Sequence, residues 1–356
     1  MNTPLLRPEP VAECGARSVD SSVPAVECAR SLVGGDFLRV VDHYRTGVVI
    51  LEEVHRLLGR PERSAPFQAR REYGRKYRAA ARRLVAPVKG HRVALEDTEA
   101  IGFLERLYPG LDSFDLAFVD VQELHGGWQR HQQGTHLAVL GRRLHPFYGT
   151  YAPTRTSHLE LFATWLSQYG GARARAMDVG TGCGVLAFLL AKGGCEHVTA
   201  TDSNPNAIES VSQELARWSE PPNVSVECTD LLGDGSDALD LVVFNPPWLR
   251  GEQDDLLDQA LHYQDGLFER FFTQAKGRLA ADGRVVMVFS NAIRLLQPDV
   301  PHPIESELKR GRFRLVQKLQ RKVKPSVGPD GRRRRTREKV EIWELALDAA
   351  VSEQRR

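Results

Sequence analysis

Apolar residues recur at helical spacing through the first third of the chain. The pattern predicts helical structure from Val26 to Gly59, a strongly basic helix over Gln68–Val85 and a third helix over Glu96–Leu107. Residues 1–25 mix Pro, Ser, Glu and Gly without periodicity, which predicts a disordered lead. Residues 26–112 are therefore predicted to form a small helical N-terminal domain.

An alternating pattern follows. Phe114–Val121 and Leu137–Tyr148 alternate between apolar and polar positions as β-strands do, and three glycines lie between them. This arrangement predicts a β-hairpin and linker over residues 113–152.

From Ala174 onward, short apolar runs alternate with segments of helical periodicity. The sequence predicts strands and helices at these places: strands Ala174–Val179, His197–Thr201, Asn223–Cys228, Leu239–Phe244 and Arg284–Ser290, helices Ser157–Tyr169, Val185–Lys192, Pro205–Arg217 and Leu256–Leu279. Strands that alternate with helices indicate βαβ units and a mainly parallel, doubly wound α/β sheet. Two further apolar segments, Phe313–Val323 and Val340–Leu347, predict an antiparallel edge pair. Residues 153–348 are thus predicted to form a second domain.

Composition disfavours membrane and secreted proteins. The chain has 356 residues, 42% hydrophobic and 26% charged, and no apolar run approaches the roughly 18 residues that span a bilayer. Its first residues lack the basic and apolar segments of a signal peptide. The 5 cysteines are widely spaced without a Cys-x-x-Cys pair, and the histidines match no metal-ligand spacing. We expect a cytoplasmic protein without a metal site; composition leaves the oligomeric state open.

Charge is distributed unevenly although the net charge is only +2. Lys and Arg greatly outnumber acids between Arg56 and Arg92, and again between Lys309 and Lys339, where Arg332–Arg335 are consecutive. Clustered cations favour a polyanionic partner such as RNA or a ribosome, because binding releases counterions from phosphates. The alternative is a solvated helix face and a flexible basic loop.

A glycine-rich turn joins the first predicted strand of the second domain to its helix. Its sequence is Asp178-Val-Gly180-Thr181-Gly182-Cys-Gly184. Glycines let the backbone turn tightly and approach a ligand, and the helix N-terminus offers free N–H groups. Because Val185 breaks the Gly-x-Gly-x-x-Gly dinucleotide pattern, the turn favours a ligand with an adenosine and an amino-acid arm over NAD.

Two acids follow the next two predicted strands. Asp202 lies about 20 residues beyond the glycine turn, where a carboxylate suits the two hydroxyls of a ribose. Asp230 is a candidate for the adenine amino group, with a turn or capping role as the alternative.

The third signal is Asn245-Pro246-Pro247-Trp248, directly after an apolar strand. The Asn245 side-chain oxygen and the Pro246 carbonyl can accept the two N–H bonds of a planar NH₂ group. The prolines restrict the backbone and remove competing donors, and the Trp248 ring can stack on an amide or a base.

Together these motifs resemble the class I S-adenosylmethionine-dependent methyltransferases, in the branch that carries Asn-Pro-Pro-aromatic. Within that branch the chain is most similar to the release-factor and ribosomal-protein glutamine methyltransferase group. The resemblance covers about 146–347 and also rests on Pro153-Thr154-Arg155 and Asp265-Gly266-Leu267. Trp248 stands where that group usually has Tyr, and Thr154 is inserted in its Pro-Arg step.

The resemblance implies a Rossmann-like sheet of seven strands with the last strand antiparallel. It also implies that S-adenosyl-L-methionine lies on this set of residues: Asp178, Gly180, Thr181, Gly182, Gly184, Asp202, Ser203, Asp230 and Asn245. The catalytic residues would be Asn245, Pro246, Pro247 and Trp248, with Tyr148 and Arg155 as candidate substrate contacts.

The acceptor stays open at this point. A glutamine amide of a translation protein is the first hypothesis. An exocyclic amine of an RNA or DNA base is the second, which the basic segments favour, and a small molecule is the third.

Overall fold

The computed structural model describes residues 3–12, 15–62, 65–251, 262–323, 326–327, 333–334 and 337–348. The chain divides into two compact units, an N-terminal unit of residues 5–132 and a C-terminal unit that begins at residue 133. Within the described residues, no helix has the length and apolar character needed to cross a membrane.

The N-terminal unit combines a mixed sheet with helices. Its elements in chain order are β1 (Arg17–Val19), α1 (Ala25–Gly34), β2 (Leu38–Val40), α2 (Tyr44–Leu57), α3 (Phe67–Ala81), β3 (Leu84–Lys89), β4 (Arg92–Val93), α4 (Phe103–Leu107), β5 (Ser113–Ala117) and α5 (Phe118–Gln133). Strands β1, β2 and β3 are parallel neighbours, and β4 and β5 pair with β3 in antiparallel fashion.

This sheet corrects the prediction of a purely helical domain over residues 26–112. The predicted basic helix ends at Ala81, and the apolar run that follows it is strand β3 rather than a last helical turn. The predicted first helical segment is interrupted by β2. The backbone N–H and C=O groups of β2 and β3 are satisfied by pairing with neighbouring strands, which lie far away in the sequence. The spacing of apolar residues within these short segments does not show that pairing, so it could not distinguish a strand from a helix.

The described residues of the segment 1–25 are also more ordered than predicted. The Tyr108 hydroxyl donates to the carbonyl of Pro8 at 2.6 Å, and the Val11 N–H donates to the carbonyl of Asp115 at 2.8 Å. Residues 17–19 form β1. Hydrogen bonds to distant residues therefore order a segment whose own sequence has no periodicity.

The predicted hairpin over residues 113–152 is only partly correct. A short hairpin exists, formed by β6 (Thr135–Leu137) and β7 (Arg142–Leu144). The segment before it, however, is β5 followed by the 16-residue helix α5, which runs through Gly126 and Gly127.

The rest of the C-terminal unit alternates strands and helices. The elements are α6 (Ser157–Gln168), β8 (Arg175–Val179), α7 (Val185–Lys192), β9 (His197–Asp202), α8 (Pro205–Ala216), β10 (Val224–Cys228), β11 (Leu239–Phe244), β12 (Leu249–Arg250), β13 (His262–Tyr263), α9 (Leu267–Arg278), β14 (Leu279–Ser290), α10 (Ala292–Leu296), α11 (Pro303–Lys309), β15 (Phe313–Lys322), β16 (Ser326–Val327), β17 (Arg333–Arg334) and β18 (Lys339–Leu347).

Seven of these strands form one sheet in the order β10-β9-β8-β11-β14-β18-β15. The first five are parallel, and β18 runs antiparallel to both of its neighbours. The prediction of a doubly wound seven-stranded sheet with an antiparallel last strand is confirmed.

Both faces of the sheet are buried. Along β11, Leu241 and Val243 belong to one apolar core, and Val242 and Phe244 belong to the other. The first core contains residues of α6 and α7, and the second contains residues of α9. Burial on both faces explains why a central strand such as β11 is a nearly continuous apolar run in the sequence.

Two predictions fall partly outside the described residues. Residues 256–261 of the predicted helix Leu256–Leu279 lie outside them. Of its described part, His262–Tyr263 form strand β13 rather than helix, and only Leu267–Arg278 are helical, as α9. Arg332 and Arg335 of the arginine run also lie outside, whereas the backbone of Arg333–Arg334 forms β17.

Candidate active site

The predicted motifs meet at one edge of the seven-stranded sheet. Strands β8 and β11 are parallel neighbours with Val179 opposite Phe244, so the glycine turn and Asn245 leave the sheet side by side. In the adjacent strand β9, Thr201 lies opposite Val179, and Asp202 follows it. The strand order reverses between β8 and β11, which is where open α/β sheets bind ligands.

Asp178 connects the glycine turn to helix α7, which follows the turn. Its carboxylate accepts from the Thr181 hydroxyl at 2.7 Å and from the Ala187 N–H at 2.9 Å. The second contact satisfies one of the free N–H groups at the start of α7, a role that an N-cap residue usually has. Burial raises the pKa of the Asp178 carboxyl to about 7.

Three glycines of the turn have positive φ angles, which only glycine adopts without strain: Gly180, Gly182 and Gly184. They differ in their surroundings. A Cβ on Gly184 would lie 2.9 Å from the Phe188 ring, so close packing excludes a side chain there. Among the described residues, a Cβ on Gly182 would meet no atom nearer than the Tyr151 carbonyl at 3.6 Å, an ordinary van der Waals distance. Gly182 is partly exposed, so its positive φ, rather than a close neighbour, is what disfavours a side chain there.

Asp202 is fixed facing this turn. One carboxylate oxygen accepts from the Gly182 N–H at 2.9 Å, and the other accepts from the Asn204 N–H at 2.9 Å. Each carboxylate oxygen can accept a second hydrogen bond, which leaves a pair of acceptors for a diol such as the ribose 2′- and 3′-hydroxyls. Burial raises the pKa of Asp202.

These residues fit S-adenosyl-L-methionine. The Asp202 acceptors suit its ribose, and the partly exposed Gly182, which has no side chain, admits a ligand close to the backbone. One oxygen of Asp178, Oδ1, is buried and has no hydrogen-bond partner in the described part of the chain. An unsatisfied buried acceptor beside a helix N-terminus is a feature that a bound ligand with donor groups would complete.

Asn245 follows β11 and is half-buried between two fixed neighbours. Pro246 after it is buried, and the Trp248 indole N–H donates to Asn245 Oδ1 at 3.2 Å. Because an indole nitrogen only donates, this contact identifies the oxygen, not the nitrogen, as the atom of the amide that faces Trp248. Oδ1 keeps a second lone pair for another donor.

His158, in the first turn of α6, packs edge-on against Trp248 with ring centroids 5.7 Å apart and planes at 89°. Burial lowers the pKa of His158 to about 4, so the imidazole is neutral at physiological pH. His158 was missed in the sequence because its importance depends on a contact across 90 residues, and no local pattern marks it.

The other predicted site residues differ in their exposure to solvent. Tyr148 is buried, and its carbonyl accepts from the Asn206 side chain at 2.9 Å, which ties it to the start of α8 after Asp202. Ser203 and Arg155 are exposed. Asp230 is also exposed and forms an ion pair with Arg270.

Comparisons with known proteins find methyltransferases that are similar to parts of this chain. Residues 159–309 match the family model described as Methyltransferase small domain. A protein of Methanocaldococcus jannaschii named as an N5-glutamine methyltransferase is 27% identical over 122 residues, which are 32% of this chain and 61% of that protein. A ribosomal protein L11 methyltransferase of Lactobacillus gasseri is 36% identical over 69 residues, 19% of this chain and 22% of that protein.

The crystal structure of a ribosomal protein L11 methylase from Lactobacillus delbrueckii aligns with 56% of this chain and 81% of its own, at 20% identity and a TM-score of 0.39. The chain spans 61% and 22% of the two curated relatives above. The family model and the curated relatives support an S-adenosylmethionine-dependent methyltransferase.

Proposed function

We propose that this protein transfers the methyl group of S-adenosyl-L-methionine to a planar NH₂ nitrogen, and that the acceptor is a glutamine amide of a protein of translation. The observation that carries the proposal is the position of Asn245. Its side-chain oxygen is fixed by Trp248 at the sheet edge where the glycine turn and Asp202 form the fitting cofactor site.

The site residues orient the reacting groups. Asn245 Oδ1 and the Pro246 carbonyl accept the two N–H bonds of the amide, which turns the nitrogen lone pair toward the sulfonium methyl. Such orientation can contribute about 7–11 kcal/mol to lowering a barrier. The bound cofactor supplies the methyl group and leaves as S-adenosylhomocysteine.

Charge changes at nitrogen explain why acceptors, rather than a base, are needed. As the N–CH₃ bond forms and the S–CH₃ bond breaks, the nitrogen gains positive charge. The two acceptor oxygens then bind its hydrogens more strongly than in the ground state, which stabilises the transition state. The methylated nitrogen afterwards releases one proton to water.

The names of the relatives support a protein acceptor, since they describe a glutamine methyltransferase and ribosomal protein methyltransferases. A second candidate is the exocyclic amine of a nucleic-acid base. The large half-buried ring of Trp248 beside Asn245 favours it, because an indole stacks on a base as well as on an amide.

The test is transfer of label from methyl-labelled S-adenosylmethionine into a lysate of a strain that lacks this protein. Aliquots are then treated with protease, RNase or DNase, and Asn245→Ala protein serves as the matched control. Label in a discrete protein band, located by mass spectrometry on a glutamine, supports the proposal. Label released by a nuclease moves the assignment to base methylation. No macromolecular label, with cofactor binding intact, contradicts both.

A further inference from the structure

Helix α8 buries three polar side chains on one side. Asn206, Ser210 and Glu214 recur at i, i+4 and i+8, which places them one above the other along the helix. Each of the three is 0% exposed. Burying a polar group is costly unless it forms a hydrogen bond, so these residues, called here the polar face of α8, require partners.

The partners belong to residues 145–151, called here the connecting segment, which lie between β7 and α6 outside any helix or strand. Each side chain of the polar face bonds one backbone group of this segment: Glu214 Oε1 accepts from the His145 N–H at 2.7 Å, Ser210 Oγ accepts from the Phe147 N–H at 3.1 Å, and the Asn206 amide donates to the Tyr148 carbonyl at 2.9 Å. The connecting segment therefore runs antiparallel to α8. Side chains satisfy its backbone groups where a neighbouring strand would otherwise do so.

Packing of the helix alone does not explain the polar face. Apolar residues at the three positions would bury this side of α8 without any need for hydrogen bonds. They would, however, leave backbone N–H and carbonyl groups of the connecting segment buried without partners, which costs free energy. The polar side chains are thus explained by the backbone that they hold.

The far end of the connecting segment is joined to Asp202. The Asn204 side chain donates to the Gly149 carbonyl at 3.0 Å, and the Asn204 N–H donates to the Asp202 carboxylate at 2.9 Å. The Thr150 hydroxyl donates to the Asn206 carbonyl at 3.0 Å. Asn204 therefore links the segment directly to the carboxylate that fits the ribose of the cofactor.

The connecting segment ends beside the glycine turn. The Tyr151 carbonyl would lie 3.6 Å from a Cβ on Gly182, and the Gly182 N–H donates to Asp202 at 2.9 Å. A ligand that approaches Gly182 therefore comes close both to Asp202 and to the end of the segment.

We propose that the polar face of α8 positions the connecting segment as one wall of the site for S-adenosyl-L-methionine, with Asn206 and Ser210 as positioning residues. They act through the segment, because their hydrogen bonds keep the Tyr151 carbonyl beside Gly182 before the cofactor binds. A wall that is already ordered spares the ligand the entropic cost of ordering it. The inference rests on the proposed cofactor and is independent of the methyl acceptor.

The first experiment measures the affinity of the full-length protein for S-adenosylhomocysteine by isothermal titration. Asn206→Ala with Ser210→Ala removes the partners of the Tyr148 carbonyl and the Phe147 N–H. Because buried backbone groups without partners are costly, the segment should shift toward water. Apparent affinity falls with the fraction of protein whose site is ordered, and we expect at least about five-fold weaker binding.

Ser212→Ala with Gln213→Ala is the matched control on the same helix. Both side chains are partly exposed, and both bond within α8, Ser212 to the Ile208 carbonyl and Gln213 to the Glu209 carboxylate. The control should bind S-adenosylhomocysteine as the wild type does. Circular dichroism and thermal melting establish that each variant is folded at the temperature of the titration.

The second experiment changes the segment instead of the helix. Thr150→Val removes the hydroxyl that donates to the Asn206 carbonyl, and affinity should fall about two-fold or more. Thr150→Ser retains a hydroxyl and should bind more tightly than Thr150→Val. Hydrogen exchange, followed by mass spectrometry, should be faster in residues 145–151 of Thr150→Val than of the wild type, and S-adenosylhomocysteine should slow it in both.

Equal affinity of the wild type and the folded Asn206→Ala, Ser210→Ala variant would overturn the inference and leave the cofactor site intact, as would an equal loss in the control. If the double variant does not fold, wild-type affinity in Thr150→Val has the same meaning. Absence of S-adenosylhomocysteine binding by the wild type would overturn the proposed cofactor together with the inference. Intact binding without any methyl transfer would contradict the proposed function alone.

Discussion

Trp248 and Asn245 are joined by a hydrogen bond from the indole N–H to the side-chain oxygen, 3.2 Å long and three residues apart in the chain. Asn245 Oδ1 is the atom that the proposed mechanism needs as an acceptor. The contact therefore makes Trp248 a positioning residue for that oxygen, in addition to offering a ring for stacking. A tyrosine or phenylalanine at this position would supply a ring without the indole donor.

Trp248→Phe should lower turnover without changing cofactor affinity. It retains a smaller aromatic ring against His158 and removes the indole donor, whose hydrogen bond is worth about 0.5–1.5 kcal/mol. We expect a rate between about two- and ten-fold lower at saturating S-adenosylmethionine, measured in single turnover. Trp248→Leu, which also removes the ring, should lose more. Equal rates for the Trp248→Phe variant and the wild type would contradict the positioning role.

Asn245→Ala should abolish most of the methyl transfer. Loss of one preorganised hydrogen-bonding group at a transition state typically costs about 10²–10³ in rate. Isothermal titration should show nearly unchanged S-adenosylmethionine affinity, since the Asp202 and Gly182 contacts remain. Asn245→Asp retains an oxygen acceptor for Trp248 and should retain more activity than Asn245→Ala. Wild-type turnover in the Asn245→Ala variant would remove Asn245 from the mechanism.

Asp202→Asn should weaken the binding of the cofactor. It removes the charge and one of the two acceptor oxygens, and hydrogen bonds to charged groups are worth ~1.5–3 kcal/mol. We expect affinity for S-adenosylhomocysteine to fall about ten- to a hundred-fold by isothermal titration. Asp230→Asn is the matched comparison, because Asp230 is exposed and paired with Arg270. A larger loss at Asp230 would move the ligand contact to β10.

The sequence predicted the centre of the C-terminal sheet well because its central strands, such as β11, are buried on both faces. Leu239–Phe244 has the predicted bounds; Asn245-Pro246 ends it, and proline cannot continue a sheet. Helix Val185–Lys192 also has its predicted bounds, set by glycines on both sides. In such segments the local pattern and the tertiary environment favour the same structure.

The N-terminal unit was predicted poorly for two physical reasons. Strand β1 has 3 residues and depends on its pairing with β2, so it has no period of its own. In α5, the spacing of Phe118, Val121 and Leu124 is helical. The prediction of a hairpin followed Gly126 and Gly127 instead, because glycines are typical of turns. A helix tolerates glycine at a cost of about 1 kcal/mol each, and burial of the apolar face offsets that cost.

In the candidate site, too, some features could be predicted from the sequence and others could not. The residues that end strands were identified from their types and order, because parallel strands bring their carboxyl ends to one edge. Contacts between elements, such as His158 with Trp248, depend on how α6 packs against the loop after β11. Side-chain packing of that kind has no periodic signature in the chain.

Asp178 should make the stability of the protein depend on pH. Burial raises its pKa to about 7 in the folded state, against about 3.9 in an unfolded chain. Between these values the folded state holds a proton that the unfolded state has lost. The free energy of unfolding should therefore fall as pH rises from about 4 to about 7, by up to ~1.4 kcal/mol per pH unit.

Asp178→Asn should remove this component, since an amide does not titrate. Urea unfolding at pH 5 and pH 8 measures it: the free energy of unfolding of the variant, relative to the wild type, should be higher at pH 8 than at pH 5. Glu220→Gln, at an exposed carboxyl, is the control, and its difference from the wild type should be the same at both pH values. Parallel pH profiles for Asp178→Asn and the wild type would show that Asp178 is already ionised in the folded protein, held so by the Thr181 and Ala187 donors.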